Sequence, residues 1–70
     1  MNNFNHFFLN GKEYSTNYNL TILELLEYFN YDNGLIVLEY NNLIYRKNKW
    51  KNIFINNEDK IEILTIVGGG

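Results

Sequence analysis

The sequence predicts an α+β fold in which a mixed sheet of four to five strands curls around one helix. A helical segment with a well-defined start covers about residues 22–29. A predicted β-hairpin precedes this segment, and three strand-like runs follow it. So short a helix cannot bury its apolar stripe alone, and it must therefore pack across one face of the sheet.

The hairpin prediction depends on the Asn10-Gly11 pair. A type I′ turn needs positive φ at both central residues, and Asn-Gly meets this need better than most pairs. Residues 1–9 are rich in phenylalanine and form the first predicted strand. Residues 12–16 are more polar and are predicted to return as a second strand at an edge of the sheet.

The start of the helix is the clearest local signal. Thr21 is placed to cap the first free backbone N–H groups and Glu24 to cap in return, a capping box that contributes about 1 kcal/mol. The apolar positions inside the helix recur at i, i+3, i+4 and i+7 and form one stripe, Ile22, Leu25, Leu26 and Phe29. The polar residues that follow are predicted to end the helix, with Gly34 in a left-handed conformation.

Three strand-like runs follow the helix. Residues 35–40 are mostly apolar, which is typical of a strand near the middle of a sheet. A turn at Asn41-Asn42 leads to a short strand at 43–45, and the last strand covers 60–67. The most economical arrangement places the first and last strands side by side in the centre, which is the β-grasp architecture. Residues 1–67 would then form one domain.

Composition limits the classes of function. The 70 residues include no cysteine, so the chain has no disulfide framework and no thiolate metal site. The net charge of −2 argues against nucleic-acid binding, although four of the six basic residues lie between 46 and 51, around Trp50. Trp50 is predicted to close the core. No apolar run approaches the roughly 18 residues that span a bilayer, so we expect a soluble intracellular domain with no membrane partner.

Neither a metal site nor a catalytic group is predicted. His6 is the only histidine, and no second ligand stands near it in the sequence. The acidic pair Glu58-Asp59 is expected to lie in a solvated turn.

The last residues carry the main functional signal. Gly68, Gly69 and Gly70 follow an apolar run, and the lack of a Cβ allows such a tail to be thin and mobile. The α-carboxylate of Gly70 has a free pKa of about 3.5 and is an anion near neutral pH. We predict a flexible glycine tail, residues 68–70, that presents this carboxylate, with a merely frayed end as the alternative.

The last strand also predicts a docking surface. Side chains alternate along a strand, so Ile61 and Ile63 should face the helix while Glu62, Leu64 and Ile66 face outward. Leu64 and Ile66 would form an exposed apolar patch that leads to the tail, a candidate contact for a partner protein. Glu62 beside them could meet a basic group of that partner. The alternative is that loops or a second copy of the chain cover the patch.

Four features in this order resemble the ubiquitin-like sulfur carriers, and among these most closely the thiamine-biosynthesis carriers, the ThiS family. They are the Asn10-Gly11 turn, the segment Thr-Ile-Leu-Glu-Leu-Leu at 21–26, Arg46 with Trp50, and the Val-Gly-Gly-Gly end at 67–70. Together they span nearly the whole chain. Tyr45 stands where related carriers often have proline, which should affect only the local turn.

The resemblance implies a carrier that is not itself an enzyme and binds no cofactor. An E1-like adenylyltransferase (ThiF-like) would use ATP and magnesium to adenylate the Gly70 carboxylate. Persulfide sulfur, ultimately from a cysteine desulfurase, would replace AMP and leave a thiocarboxylate, and thiazole synthase (ThiG-like) would accept that sulfur. Gly69 would enter a narrow channel of the partner with Gly70, and Gly68 would serve as a spacer.

Two other functions stay open. The chain could be a carrier of the molybdopterin synthase small-subunit type, although those chains are usually longer, or a ubiquitin-like binding module with no carrier role. Asparagine accounts for 14 of the 70 residues, and alanine and proline are absent, which indicates an AT-rich genome. We therefore expect the bacterial cytoplasm, or alternatively the plastid stroma, as the compartment.

Overall fold

Five strands and one α-helix form the regular structure of residues 4–31 and 33–66, the part of the chain that the computed structural model describes. The strands are β1 (Asn5–Leu9), β2 (Lys12–Thr16), β3 (Ile36–Tyr40), β4 (Leu43–Tyr45) and β5 (Asp59–Thr65). Helix α1 spans Ile22–Tyr28, and two 3₁₀ helices cover Asn33–Leu35 and Lys47–Asn52.

The sheet has the order β2-β1-β5-β3-β4. β1 and β5 are parallel neighbours in its centre, and the other three neighbouring pairs are antiparallel. The predicted pairing of the first and last strands is therefore confirmed, as are the mixed sheet and the edge position of β2. The arrangement is a β-grasp.

Asn10 does more than form the predicted turn. Its φ of 51° and the φ of 81° at Gly11 are both positive, as a type I′ turn requires. The backbone N–H of Asn10 donates to the carbonyl of Ile61 (2.9 Å), and its Oδ1 accepts from the N–H of Ile63 (2.7 Å). Because β1 ends at Leu9, the Asn10 side chain continues the pairing with β5 by one further hydrogen bond.

Asn41 holds β5 from the other side. It lies in the turn between β3 and β4 with φ of 51°, and Asn42 follows with φ of 72°. The backbone N–H of Asn41 donates to the carbonyl of Lys60, and its Oδ1 accepts from the N–H of Lys60, both at 2.8 Å. A hairpin turn on each side of β5 thus fixes the position of this strand.

The predicted capping box of α1 is confirmed. The Oγ1 of Thr21 accepts from the N–H of Glu24 (3.2 Å), and the Oε1 of Glu24 accepts from the N–H of Thr21 (2.9 Å). These two hydrogen bonds satisfy two of the N–H groups that a helix start leaves free.

The end of α1 differs from the prediction. Asn30 and Tyr31 donate their N–H groups to the carbonyls of Glu27 and Leu26, the pattern of a Schellman motif. Asn30 supplies the left-handed residue (φ 61°), so the prediction that Gly34 does so is wrong. Asparagine tolerates this conformation better than most residues because its short side chain hydrogen-bonds locally. Gly34 lies within the first 3₁₀ helix.

The core lies between α1 and the inner face of the sheet. Its buried apolar residues are Phe7, Leu9, Ile22, Leu25, Leu26, Ile36, Leu38, Trp50, Ile55, Ile61 and Ile63. Trp50 is buried, which confirms its predicted role in the core, and its Nε1 donates to the carbonyl of Tyr45 (3.0 Å). The basic residues around it are exposed.

Asp59 corrects the expectation of a solvated turn at Glu58-Asp59. Glu58 is exposed in the turn, but Asp59 begins β5 and is only 7% exposed. Its Oδ2 accepts from the hydroxyl of Tyr40 (2.5 Å) and from the N–H of Asn56 (2.6 Å), and its Oδ1 accepts from Nδ2 of Asn41 (3.1 Å). The carboxylate therefore ties β3, β5 and two turns together.

This environment predicts a pH dependence of stability. Burial, together with the hydrogen bond and negative charge of Asp59, raises the pKa of Tyr40 to about 12. The unfolded pKa is about 10, so Tyr40 contributes fully below pH 10, and its contribution is lost as the pH rises towards 12. We expect the free energy of unfolding, measured in urea, to fall more over this range in the wild type than in Tyr40→Phe. Equal losses in both proteins would contradict the assignment.

Candidate functional site

β5 is the strand that leads towards the predicted reactive end. β1 and Asn10 hold its first half, and β3 holds its second half. The N–H of Ile66 donates to the carbonyl of Leu35 (2.7 Å), so pairing continues one residue beyond the strand. The predicted tail, Gly68, Gly69 and Gly70, lies outside the described residues, as does Val67, and its roles stay predictions.

The alternation predicted for β5 is confirmed. Ile61 and Ile63 are buried against the core. Leu64 is 60% exposed and Ile66 is 50% exposed, and Glu62 between the buried residues is half-buried. No described part of the chain covers Leu64 or Ile66. Within the described residues, the outward face of β5 is therefore exposed at Leu64 and Ile66.

Two residues that the sequence did not single out extend this apolar surface. Val37 lies directly opposite Leu64 in the antiparallel pair of β3 and β5, and Leu35, half exposed, is hydrogen-bonded to Ile66. We call Leu35, Val37, Leu64 and Ile66 the outer stripe. Because residues 35–40 are almost continuously apolar, the sequence did not indicate which of them face outward.

An acidic pair borders the outer stripe. Glu39 lies directly opposite Glu62 in the register of β3 and β5, and both side chains are half-buried. Within residues 4–31 and 33–66 the one contact within ion-pair distance lies between Nδ1 of His6 and Oε2 of Glu13 (3.6 Å), so neither Glu39 nor Glu62 has a cationic partner there. Like charges directly opposite each other in a sheet destabilise it.

The described residues contain no group of three or more histidine, cysteine, aspartate or glutamate side chains that could hold a metal ion. No helix among them is long and apolar enough to span a membrane. The buried carboxylate of Asp59 has its hydrogen bonds satisfied and lies at the start of β5, whereas the outer stripe runs along its end. What the described surface offers is a contact area beside the end of β5.

Comparisons with known proteins agree with this geometry. A family model described as "ThiS family" matches residues 7–70. A protein of Trieres chinensis is 55% identical over 91% of this chain and 88% of its own length, and one of Porphyra purpurea is 34% identical over 89% and 87%. Both are named "Uncharacterized protein ycf40".

A solved structure also matches the fold. The thiamine biosynthesis protein (ThiS) of Geobacter metallireducens has a TM-score of 0.79, with 93% of this chain and 99% of that chain covered. The sequence identity is 22%, so this match shows the shared β-grasp fold alone.

Proposed function

This chain belongs to the ThiS family, and from this membership we propose that it carries sulfur, as a thiocarboxylate on Gly70, for the thiazole ring of thiamine. Membership supports a carrier-type function, with E1-like and synthase enzymes as partners, rather than catalysis by the chain itself. The observation that carries the finer function is the family match, which extends through Gly70. The central position of β5, which is held in the sheet as far as Ile66, supports it.

The chemistry explains why partner enzymes are needed. A free carboxylate is a poor acyl donor because its leaving group would be oxide. In an E1-like adenylyltransferase that uses ATP and magnesium, the Gly70 carboxylate would attack the α-phosphate of ATP, giving a mixed anhydride with AMP and releasing pyrophosphate. The terminal sulfur of a persulfide would displace AMP to form an acyl disulfide, and a thiol would reduce its S–S bond and release the thiocarboxylate.

The glycines suit the passage of this end into another protein. Gly69 and Gly70 have no Cβ to crowd a narrow channel, and Gly68 separates them from the folded domain. Ordering such a tail costs about 1–2 kcal/mol per residue. Burial of the outer stripe against the partner would offset this cost, since apolar burial contributes about 25 cal/mol per Å².

The relatives also bear on the compartment. The proteins named ycf40 from Trieres chinensis, Porphyra purpurea and Pyropia yezoensis are plastid-encoded. We therefore favour the plastid stroma over the bacterial cytoplasm for this chain.

Mass spectrometry tests the proposed function. The chain would be incubated with the E1-like enzyme of its own organism, magnesium-ATP and a persulfide source, with omission of ATP as the control. We expect one oxygen to be exchanged for sulfur at the C-terminus only when ATP is present. Absence of this product, with partner binding intact after deletion of Gly69 and Gly70, would contradict a carrier and favour a binding module.

The identity of the sulfur acceptor needs a second test. Expression of the chain in a thiamine auxotroph that lacks its own carrier should restore growth without added thiazole. Transfer of sulfur to molybdopterin synthase instead would contradict the thiazole assignment.

Leu64→Arg is expected to weaken binding to the adenylyltransferase at least about tenfold, because the charge would stand in the centre of the outer stripe. Leu64 is 60% exposed, so thermal unfolding should change little. Leu43→Arg is the matched control, since Leu43 is equally exposed but pairs with Tyr40, outside the outer stripe. Isothermal titration calorimetry measures the affinity of each variant for the adenylyltransferase. An equal loss of binding affinity in the two variants would contradict docking on the outer stripe.

A further inference from the structure

We propose that the outer face of the sheet docks a protein surface that presents one arginine side chain among apolar residues, with the guanidinium held between Glu39 and Glu62 and the apolar residues on the outer stripe. This docking mode rests on the proposed carrier function, in which the E1-like adenylyltransferase is the partner.

The register of the sheet brings the two carboxylates together. Glu39 and Glu62 are direct cross-strand partners of β3 and β5. Side chains at such positions have Cβ atoms about 4.5–5.5 Å apart. The two side chains therefore leave the sheet from adjacent positions on the outer face, immediately next to the Val37–Leu64 pair.

The described part of the chain does not neutralise this pair. Among the described residues no basic group lies within ion-pair distance of Glu39 or Glu62. Lys60, two residues before Glu62 on the same face of β5, makes no ion pair with it. Most of the other basic residues lie in the segment 46–51, whose 3₁₀ helix packs against α1. Among the described residues, the negative charges of the two glutamates are thus left without an opposite charge.

Apolar side chains border the acidic pair on two sides. Val37 and Leu64 flank it on one side, and Ile44, which is 68% exposed, lies opposite Glu39 on β4. A partner that covers these residues would exclude water from the carboxylates, which strengthens their attraction for a cation. The outer stripe also includes Ile66, the residue after β5, so the same contact would hold the end of this strand.

Arginine fits the site better than lysine. Its guanidinium is planar, carries five N–H donors and can donate to two carboxylates at once. It is also less strongly hydrated than an ammonium group, so it enters an apolar contact more readily. Charge-assisted hydrogen bonds of this kind are about twice as strong as neutral ones.

The test uses the double variant Glu39→Gln/Glu62→Gln and the E1-like adenylyltransferase. We expect binding to weaken at least about tenfold and the slope of log Kd against log salt to decrease. We also expect the melting temperature of the free variant to rise, because the repulsion is removed. The control Glu27→Gln/Glu58→Gln makes the same charge change at exposed positions away from the outer stripe and should keep the affinity within about twofold.

An arginine-specific dicarbonyl reagent identifies the partner's residue. The wild-type chain should protect one arginine of the enzyme from modification by this reagent. The same arginine should be modified when the double variant is present instead, at a concentration that saturates the enzyme. The assignment would be overturned if the double variant bound the enzyme with wild-type affinity, or if the control variant lost as much affinity as the double variant. Protection of a lysine of the enzyme, with no arginine protected, would also overturn it. Self-association of the wild-type chain that the double variant abolishes, seen by sedimentation, would make a second copy the occupant and would also overturn it.

These outcomes are separable from those of the carrier function. Sulfur loading of the wild-type chain with unchanged binding of the double variant would refute the arginine site and leave the carrier function standing. Absence of loading, with weakened binding of the double variant, would refute the carrier function and support the docking mode.

Discussion

Addition of one alanine after Gly70 is expected to abolish thiocarboxylate formation and leave the fold unchanged. In this variant the carboxyl carbon of Gly70 becomes part of a peptide bond, which cannot be adenylated. The new carboxylate lies one residue farther along the chain and beside a Cβ. Since a displacement of about 1 Å can cost about 10²-fold in rate, we expect sulfur loading to fall by at least that factor.

Intact-mass spectrometry after incubation with the adenylyltransferase, ATP and a persulfide measures this loss. An alanine added before Met1 is the matched control and should be loaded like the wild type. A glycine added after Gly70 separates the effect of moving the carboxylate from the steric effect of the alanine side chain, because it displaces the carboxylate without adding a Cβ. Adenylation at wild-type rates in either C-terminal variant would show that the reactive group is not the Gly70 carboxylate.

Asp59→Ala is expected to lower the free energy of unfolding by about 2–4 kcal/mol, the largest loss of stability among the substitutions proposed for this chain. The substitution removes the acceptor of the Asn41 amide and of the Asn56 N–H, and it leaves the Tyr40 hydroxyl only the carbonyl of Phe54 (3.2 Å). Removing one partner of a buried polar group costs the desolvation of the groups left behind. The free energy of unfolding of a domain of this size is about 3.5–10 kcal/mol in total, so much of its stability depends on this carboxylate.

Urea unfolding followed by circular dichroism measures the effect. Glu27→Ala, which removes an exposed carboxylate from α1, is the control and should change stability by less than about 0.5 kcal/mol. A loss no larger than that of the control would show that Asp59 does not hold β3, β5 and the turns together. The carboxylate lies at the start of β5, so the tail chemistry of any folded fraction should persist.

Local signals made most of the elements predictable. The Thr21–Glu24 capping box and the Asn10-Gly11 turn each depend on residues three or fewer positions apart, so the backbone there is determined by its immediate neighbours. The outward direction of Leu64 and Ile66 followed from simple alternation. The role of Gly70 remains a prediction, supported by family membership rather than by the described residues.

Contacts between distant segments could not be predicted in this way. Asp59 appeared to belong to a polar turn, because nothing near it in sequence indicates that Tyr40 and Asn41 would enclose it. The abundance of asparagine suggested a compositional bias, yet the side chains of Asn10 and Asn41 hydrogen-bond to β5 from opposite sides. Composition shows how many such residues a chain has, and not which of them meet a partner.

The sequence by itself determined the helix, the hairpin turns, the order of the strands along the chain, the central pairing of the first and last strands and the glycine end, because these depend on short-range backbone preferences and on a few packing rules. Only the tertiary structure decided which residues lie opposite each other across β3 and β5. That register places Val37 opposite Leu64 and Glu39 opposite Glu62, and it brings Leu35 to Ile66 at the end of β5. Since a shift of one residue would turn every side chain to the other face, the docking surface depends on register, which is set by long-range pairing.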